Sequence, residues 1–114
     1  VYWFYFFRMV PEAFSCDRAQ FVKALAAEGV QCSAGYIPVT LHKMDVFLNH
    51  GFFNGHWPVK EAGLTNMDFN THETPEAEAI LRSGVRVVIH EGMSEDYIRQ
   101  CAAAVRKVAG HYAV

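Results

Sequence analysis

The sequence predicts an α+β fold: a small three-stranded sheet with helices packed on one face. Three observations carry this. Strand-like runs recur near positions 1–10, 30–34 and 85–89, rich in β-branched and aromatic residues. Helical runs with caps and apolar stripes stand between and after them. The order β, α, β, loop with short helix, α, β, α suggests an α+β sandwich, with the helices on one face of a small sheet.

The first run, VYWFYFFRMV, is apolar at both parities. Tyr2, Phe4 and Phe6 point one way, and Trp3, Tyr5 and Phe7 the other. A half-exposed strand alternates polar with apolar, so this one is expected at the centre of the sheet, covered on both faces. Pro11 ends it. Ser15 or Asp17 is placed to cap a helix over 18–28. Phe21, Val22 and Leu25 form its apolar stripe, with Lys23 and Glu28 toward water.

The chain is organised around ALAAEGVQCSAGYIPVTLH, positions 24–42. Gly29 supplies the left-handed turn that ends the helix. A strand over 30–34 follows, and Pro38 marks its exit because proline cannot donate into a ladder. Tyr36 and His42 then sit where the chain leaves the sheet, the best polar pair for a small-molecule surface.

Positions 43–49 suit a short helix with Met44, Phe47 and Leu48 on one side. Positions 50–70 read as irregular, broken by Gly51, Gly55, Pro58 and Gly63. Phe52, Phe53 and Trp57 in that stretch are too apolar to be left in water and are expected to dock on the domain or on another subunit. Thr74 followed by Pro75 opens the next helix, with Glu76 and Glu78 in its first turn, and Gly84 is expected to stop it. The third strand, 85–89, is expected antiparallel beside the first. Ser94 caps a last helix whose buried face is read as Ile98, Ala102, Val105 and Val108, with Arg99, Arg106 and Lys107 toward water.

The chain has 114 residues and is expected to form one domain over 1–114. With 52% hydrophobic and 19% charged residues it is globular. A net charge of −2 gives no footprint for nucleic acid, and the scattered Lys and Arg form no membrane patch. No apolar run approaches the ~18 residues of a membrane helix. The three cysteines have no C-x-x-C spacing, so free buried thiols in a reducing, cytoplasmic setting are expected. Six histidines invite a metal site, but His50, His56 and His72 lack the tight spacing of zinc ligands, and none is expected. Lys23, Lys43, Lys60 and Lys107 all read as surface charges. None has the desolvated or cationic setting of a Schiff-base amine. No nucleophile elbow or phosphate-cradling glycine pattern is present.

Four segments, taken in order, resemble a known family: VYWFYFFRMVPEAF, AEGVQCSAGYIPVTLH, WPVKEAG and ILRSGVRVVIHEGMSEDYIRQCAAAVRKVA. Together they resemble the C-terminal small domain of the DegT/DnrJ/EryC1/StrS aminotransferases, nearest to members acting on sugar nucleotides and aminocyclitols. The resemblance spans nearly the whole chain and rests on the series rather than on one motif. It implies a domain that closes over the active site of a dimeric pyridoxal-phosphate enzyme. The cofactor and its lysine belong to a large N-terminal domain that nothing here resembles. This chain is accordingly expected to hold no cofactor, to carry no catalytic residue and to have no activity alone. The family's tyrosine-proline-histidine loop matches Tyr36, Pro38 and His42, with Thr40 and Leu41 intervening before the histidine. Around WPVKEAG, Pro58 and Glu61 keep the family frame, whereas His56 and Trp57 depart from it. A beginning in mid-strand at Val1 fits a piece of a larger protein. The contrasting expectation is a stand-alone binding or assembly module derived from such a domain. In either case a homodimer is expected, because the doubly apolar first strand leaves aromatic rings to cover.

Overall fold

The computed structural model describes residues 2–114; Val1, expected in the first strand, lies outside them. The fold is α+β, with a three-stranded antiparallel sheet and five α-helices among the described residues. The chain divides into two compact units, one of Val1–Tyr36 with Arg82–Val114 and one of Ile37–Leu81.

The first unit contains the whole sheet: β1 (Phe4–Arg8), β2 (Cys32–Ala34) and β3 (Gly84–Val88), in the order β1-β3-β2. β3 lies antiparallel beside β1, as expected, with Phe6 opposite Arg86 and Arg8 opposite Gly84. β2 pairs with the other side of β3, Ser33 opposite Arg86 and Ala34 opposite Val85. The expectation that the first strand is central is therefore wrong: β1 is an edge and β3 is the centre. Its doubly apolar pattern reports two apolar faces, not two neighbours. On one face Phe7 packs into the core, whereas Tyr5, on the same side, stays 61% exposed.

Helix α1 (Arg18–Ala27) is capped by Asp17, whose carboxylate accepts from Gln20 N at 2.7 Å. Its stripe buries Phe21 and Leu25 as expected. Phe21 meets Phe7 and Phe14 edge-on, with ring centroids 6.4 and 5.5 Å away. Gly29 turns the chain at φ +90°, and Val30 N donates back to Leu25 O, so Val30 finishes the helix turn instead of opening the strand. Helix α5 (Glu95–Tyr112) is capped by Ser94, which accepts from Tyr97 N. Its inward face is Cys101, Ala104, Val105 and Val108. The expected Ile98 and Ala102 are instead exposed, so the real stripe is displaced around the helix from the one expected. Met9, Val30 and Val85 complete this core on the face covered by α1 and α5.

The second unit carries three of the helices. A 3-10 turn at Leu41–Lys43 leads into α2 (Asp45–Leu48), and a second turn at Gly51–Phe53 precedes α3 (Pro58–Glu61). The stretch expected to be irregular thus holds two short helical pieces. Trp57 stacks on Phe69 at 4.8 Å, His50 lies 4.9 Å from Trp57, and Phe47 touches Phe52 and Phe69. Trp57 is docked within its own unit, while Phe52 and Phe53 remain mostly exposed. His50 and Asn54 adopt left-handed backbone, which bends the chain tightly enough to close this cluster. Helix α4 (Pro75–Ser83) begins here and passes straight into β3 at Gly84, so that glycine opens the strand and no loop separates the two elements.

Candidate functional site

Tyr36 belongs to the first unit, and Pro38 and His42 to the second. Tyr36 stands two residues beyond β2, after Gly35 at φ +79°. Its ring lies 5.4 Å from Phe4 and edge-on to Trp3 at 5.7 Å. The guanidinium carbon of Arg86 lies 5.6 Å from the Tyr36 centroid and 5.9 Å from that of Phe4. Arg86 Nε donates to Ser33 Oγ at 3.1 Å, and Ser33 Oγ donates to Gly35 O at 3.2 Å. These two hydrogen bonds tie the central strand to the backbone immediately before Tyr36. The register makes the arrangement inevitable: Phe6, Arg86 and Ser33 are partners across the sheet and project from the face opposite α1 and α5. Tyr36 itself is half-exposed, with Phe4, Trp3 and Arg86 as its ring neighbours.

In the second unit, His42 is half-buried on the 3-10 turn. Its Nε2 is 3.1 Å from His72 O, and the two imidazoles meet edge-on at 5.2 Å. Beside it, Lys43 Nζ donates to Glu78 Oε1 at 2.7 Å. Pro38 is exposed in the bend leading to this turn. The hydroxyls of Thr40 and Thr74 are buried in this unit without a hydrogen-bond partner.

Sequence reasoning found Tyr36 but missed its supports, Arg86, Ser33 and Trp3. The signal was there in GVRVVI: a single cation in an otherwise apolar central strand must find a polar or aromatic partner on its own face.

Among the described residues, no three His, Cys, Asp or Glu side chains gather as metal ligands. His56 lies 3.1 Å from Glu61 at the surface. Cys16, Cys32 and Cys101 are free thiols. Burial, followed by the neighbouring Cys101, pushes the Cys32 thiol up, and its Sγ points at Val22 O at 3.6 Å. Tyr97 O–H donates to Gly29 O at 3.1 Å, and a hydrogen bond with Cys101 is the main influence raising its phenol. These groups are spent on joining α5 to the turn after α1. Among the described residues no helix is long and apolar enough to cross a membrane. No protein-family model matches this chain, and no curated protein matches it.

Proposed function

We propose that this chain is the substrate-closing small domain of a cytoplasmic pyridoxal-phosphate-dependent sugar aminotransferase of the DegT/DnrJ/EryC1/StrS type, working as a homodimer. The observation that carries the reading is the setting of Tyr36. The residue matched to the family's substrate loop is a half-exposed ring, braced from behind by Phe4 and Arg86. A braced aromatic ring suits stacking on the ring of a sugar-nucleotide or aminocyclitol substrate, and the nearby guanidinium complements the phosphates of a sugar nucleotide. It suits binding and not bond-making. Pro38 and His42, in the second unit, are matched to the same family loop by the resemblance alone.

The lysines present do not fit the cofactor. Lys43 is paired with Glu78 and Lys107 with Glu28, and Lys23 and Lys60 are exposed. Chemistry on pyridoxal phosphate belongs, on this reading, to a separate large domain. The homodimer is supported by Tyr2, Trp3 and Tyr5, each more than half exposed near the sheet edge.

Two measurements test the reading. The encoding frame upstream of Val1 should continue into a large domain with a cofactor lysine; a start codon immediately before it would favour a stand-alone binding module. Titration with a nucleoside-diphosphate sugar should move the NMR signals of Tyr36, His42 and the residues flanking Pro38. Shifts confined to α5 would refute the site.

A further inference from the structure

Among the described residues, β1 pairs only with β3, so the outer side of Phe4–Arg8 offers unmatched N–H and C=O groups. Such an edge templates another strand unless proline, charge or a bulge blunts it. The strand FYFFR has no proline, and its one charge is at its end. On the helix-covered face a groove of about 520 Å³ runs beside this strand, with Tyr5, Val87, Ile89, Ile98 and Val105 in its lining. It lies where α5, packed on α1, faces the Tyr5 and Phe7 side of the sheet.

The geometry points to a second copy of this chain as the occupant, joined by antiparallel pairing of the two β1 strands with Tyr5 on the two-fold axis. An unpaired edge beside an apolar groove accepts an extended, aromatic backbone, and β1 is one. A two-fold axis normal to the sheet extends it continuously and keeps the helices of both copies on the same side, so the two grooves face each other and close together. Directly opposed residues share a face, which requires the axis to pass through a residue rather than between two. With Tyr5 on the axis, Arg8 of each copy opposes Tyr2 of the other, so no like charges meet. That register also covers the outermost rings, since Tyr2 is 81%, Trp3 71% and Tyr5 61% exposed. At roughly 150–250 Å² per aromatic side chain, these rings with Ile98 bring the total over two copies to about 1,000 Å², the lower bound for a specific interface.

This inference rests on the homodimer part of the reading above and is independent of the aminotransferase assignment. The test uses the full chain in sedimentation and light scattering at low and high micromolar protein. A dimer is expected. Tyr5→Lys should weaken it at least about tenfold, as a charge placed on a bare edge does, with circular dichroism unchanged because Tyr5 is exposed. Leu64→Lys, an exposed change in the second unit, should leave association as it was. Tyr5→Cys should cross-link under mild oxidation, with the disulfide mapped by mass spectrometry to position 5 of both copies. A monomer at high micromolar overturns the inference and the homodimer together. A dimer indifferent to Tyr5→Lys, without the position-5 cross-link but lost in Tyr36→Asp, overturns the edge pairing alone and moves the interface to the opposite face.

Discussion

The guanidinium of Arg86 lies 5.6 Å from the ring of Tyr36, with its Nε held by Ser33. One side chain on the central strand thus fixes both the end of β2 and the aromatic ring that follows it. The contact is electrostatic as well as steric, because the cation faces the negative side of the ring.

Replacing Arg86 with Met keeps the stem but removes the cation and its hydrogen bond. Stability should fall by about 1–2 kcal/mol, the sum of one partly buried cation–π contact and one hydrogen bond. Urea denaturation measures the loss, and NMR should show the Tyr36 ring shifts collapsing toward random-coil values. Tyr36 shifts that stay in place would mean that Phe4 and Trp3 alone hold the ring.

Incubation with pyridoxal phosphate should give no stable internal aldimine and no transamination. The Lys43 ammonium is tied to Glu78 and remains 40% exposed, the reverse of the desolvation that activates a Schiff-base amine. Borohydride trapping followed by peptide mapping checks this; a stoichiometric adduct on Lys43 would overturn it.

Leu25→Ala should cost about 2–5 kcal/mol, because Leu25 of α1 is fully buried in the core it shares with Val85, Ala104 and Val108 and its removal leaves a cavity. Asp17→Ala should cost only about 1 kcal/mol, the loss of a single exposed cap. Thermal and urea unfolding rank the two. A larger effect at Asp17 would mean that the cap, and not the core, limits stability.

Alkylation of Cys32 should be slower in the folded chain than in urea at pH 8. Burial raises its folded pKa above the unfolded thiol value of about 8.5. The sign follows: below the unfolded pKa both states hold the proton and stability is untouched. As pH climbs from there toward the folded pKa, the unfolded state ionises first and stability declines. Iodoacetamide rates followed by mass spectrometry across pH 7 to 10 test it; equal folded and unfolded rates would show that the thiol is freely hydrated.

What was legible in the sequence is what depends on near neighbours. Asp17 and Ser94 cap their helices because capping is settled within three residues. Gly29 turns where expected because only its own backbone is at stake. The place of β1 was not legible, since hydrophobicity at both parities counts faces and says nothing about which strand lies alongside. The stripe of α5 was misread at Ile98 and Ala102 because any apolar residue on a helix fits some stripe, and only the position of α1 selects one. Tyr36 was visible as the residue at a strand exit; Arg86 needed the β1-β3-β2 register to bring it across the sheet to that ring.

The register also has a consequence for the chain's architecture. Ala34 and Val85 are paired neighbours in the sheet, yet all of Ile37–Leu81 lies between them in sequence. Topologically β2 and β3 are the two arms of a hairpin whose turn has been swollen into a compact unit of its own. The sheet fixes the two points where that excursion leaves and returns and is blind to its length. Residues can be added to or taken from the interior of Ile37–Leu81 without shifting one rung of the ladder. This is therefore the part of the chain where shape can be altered while the α1–α5 core stays as it is.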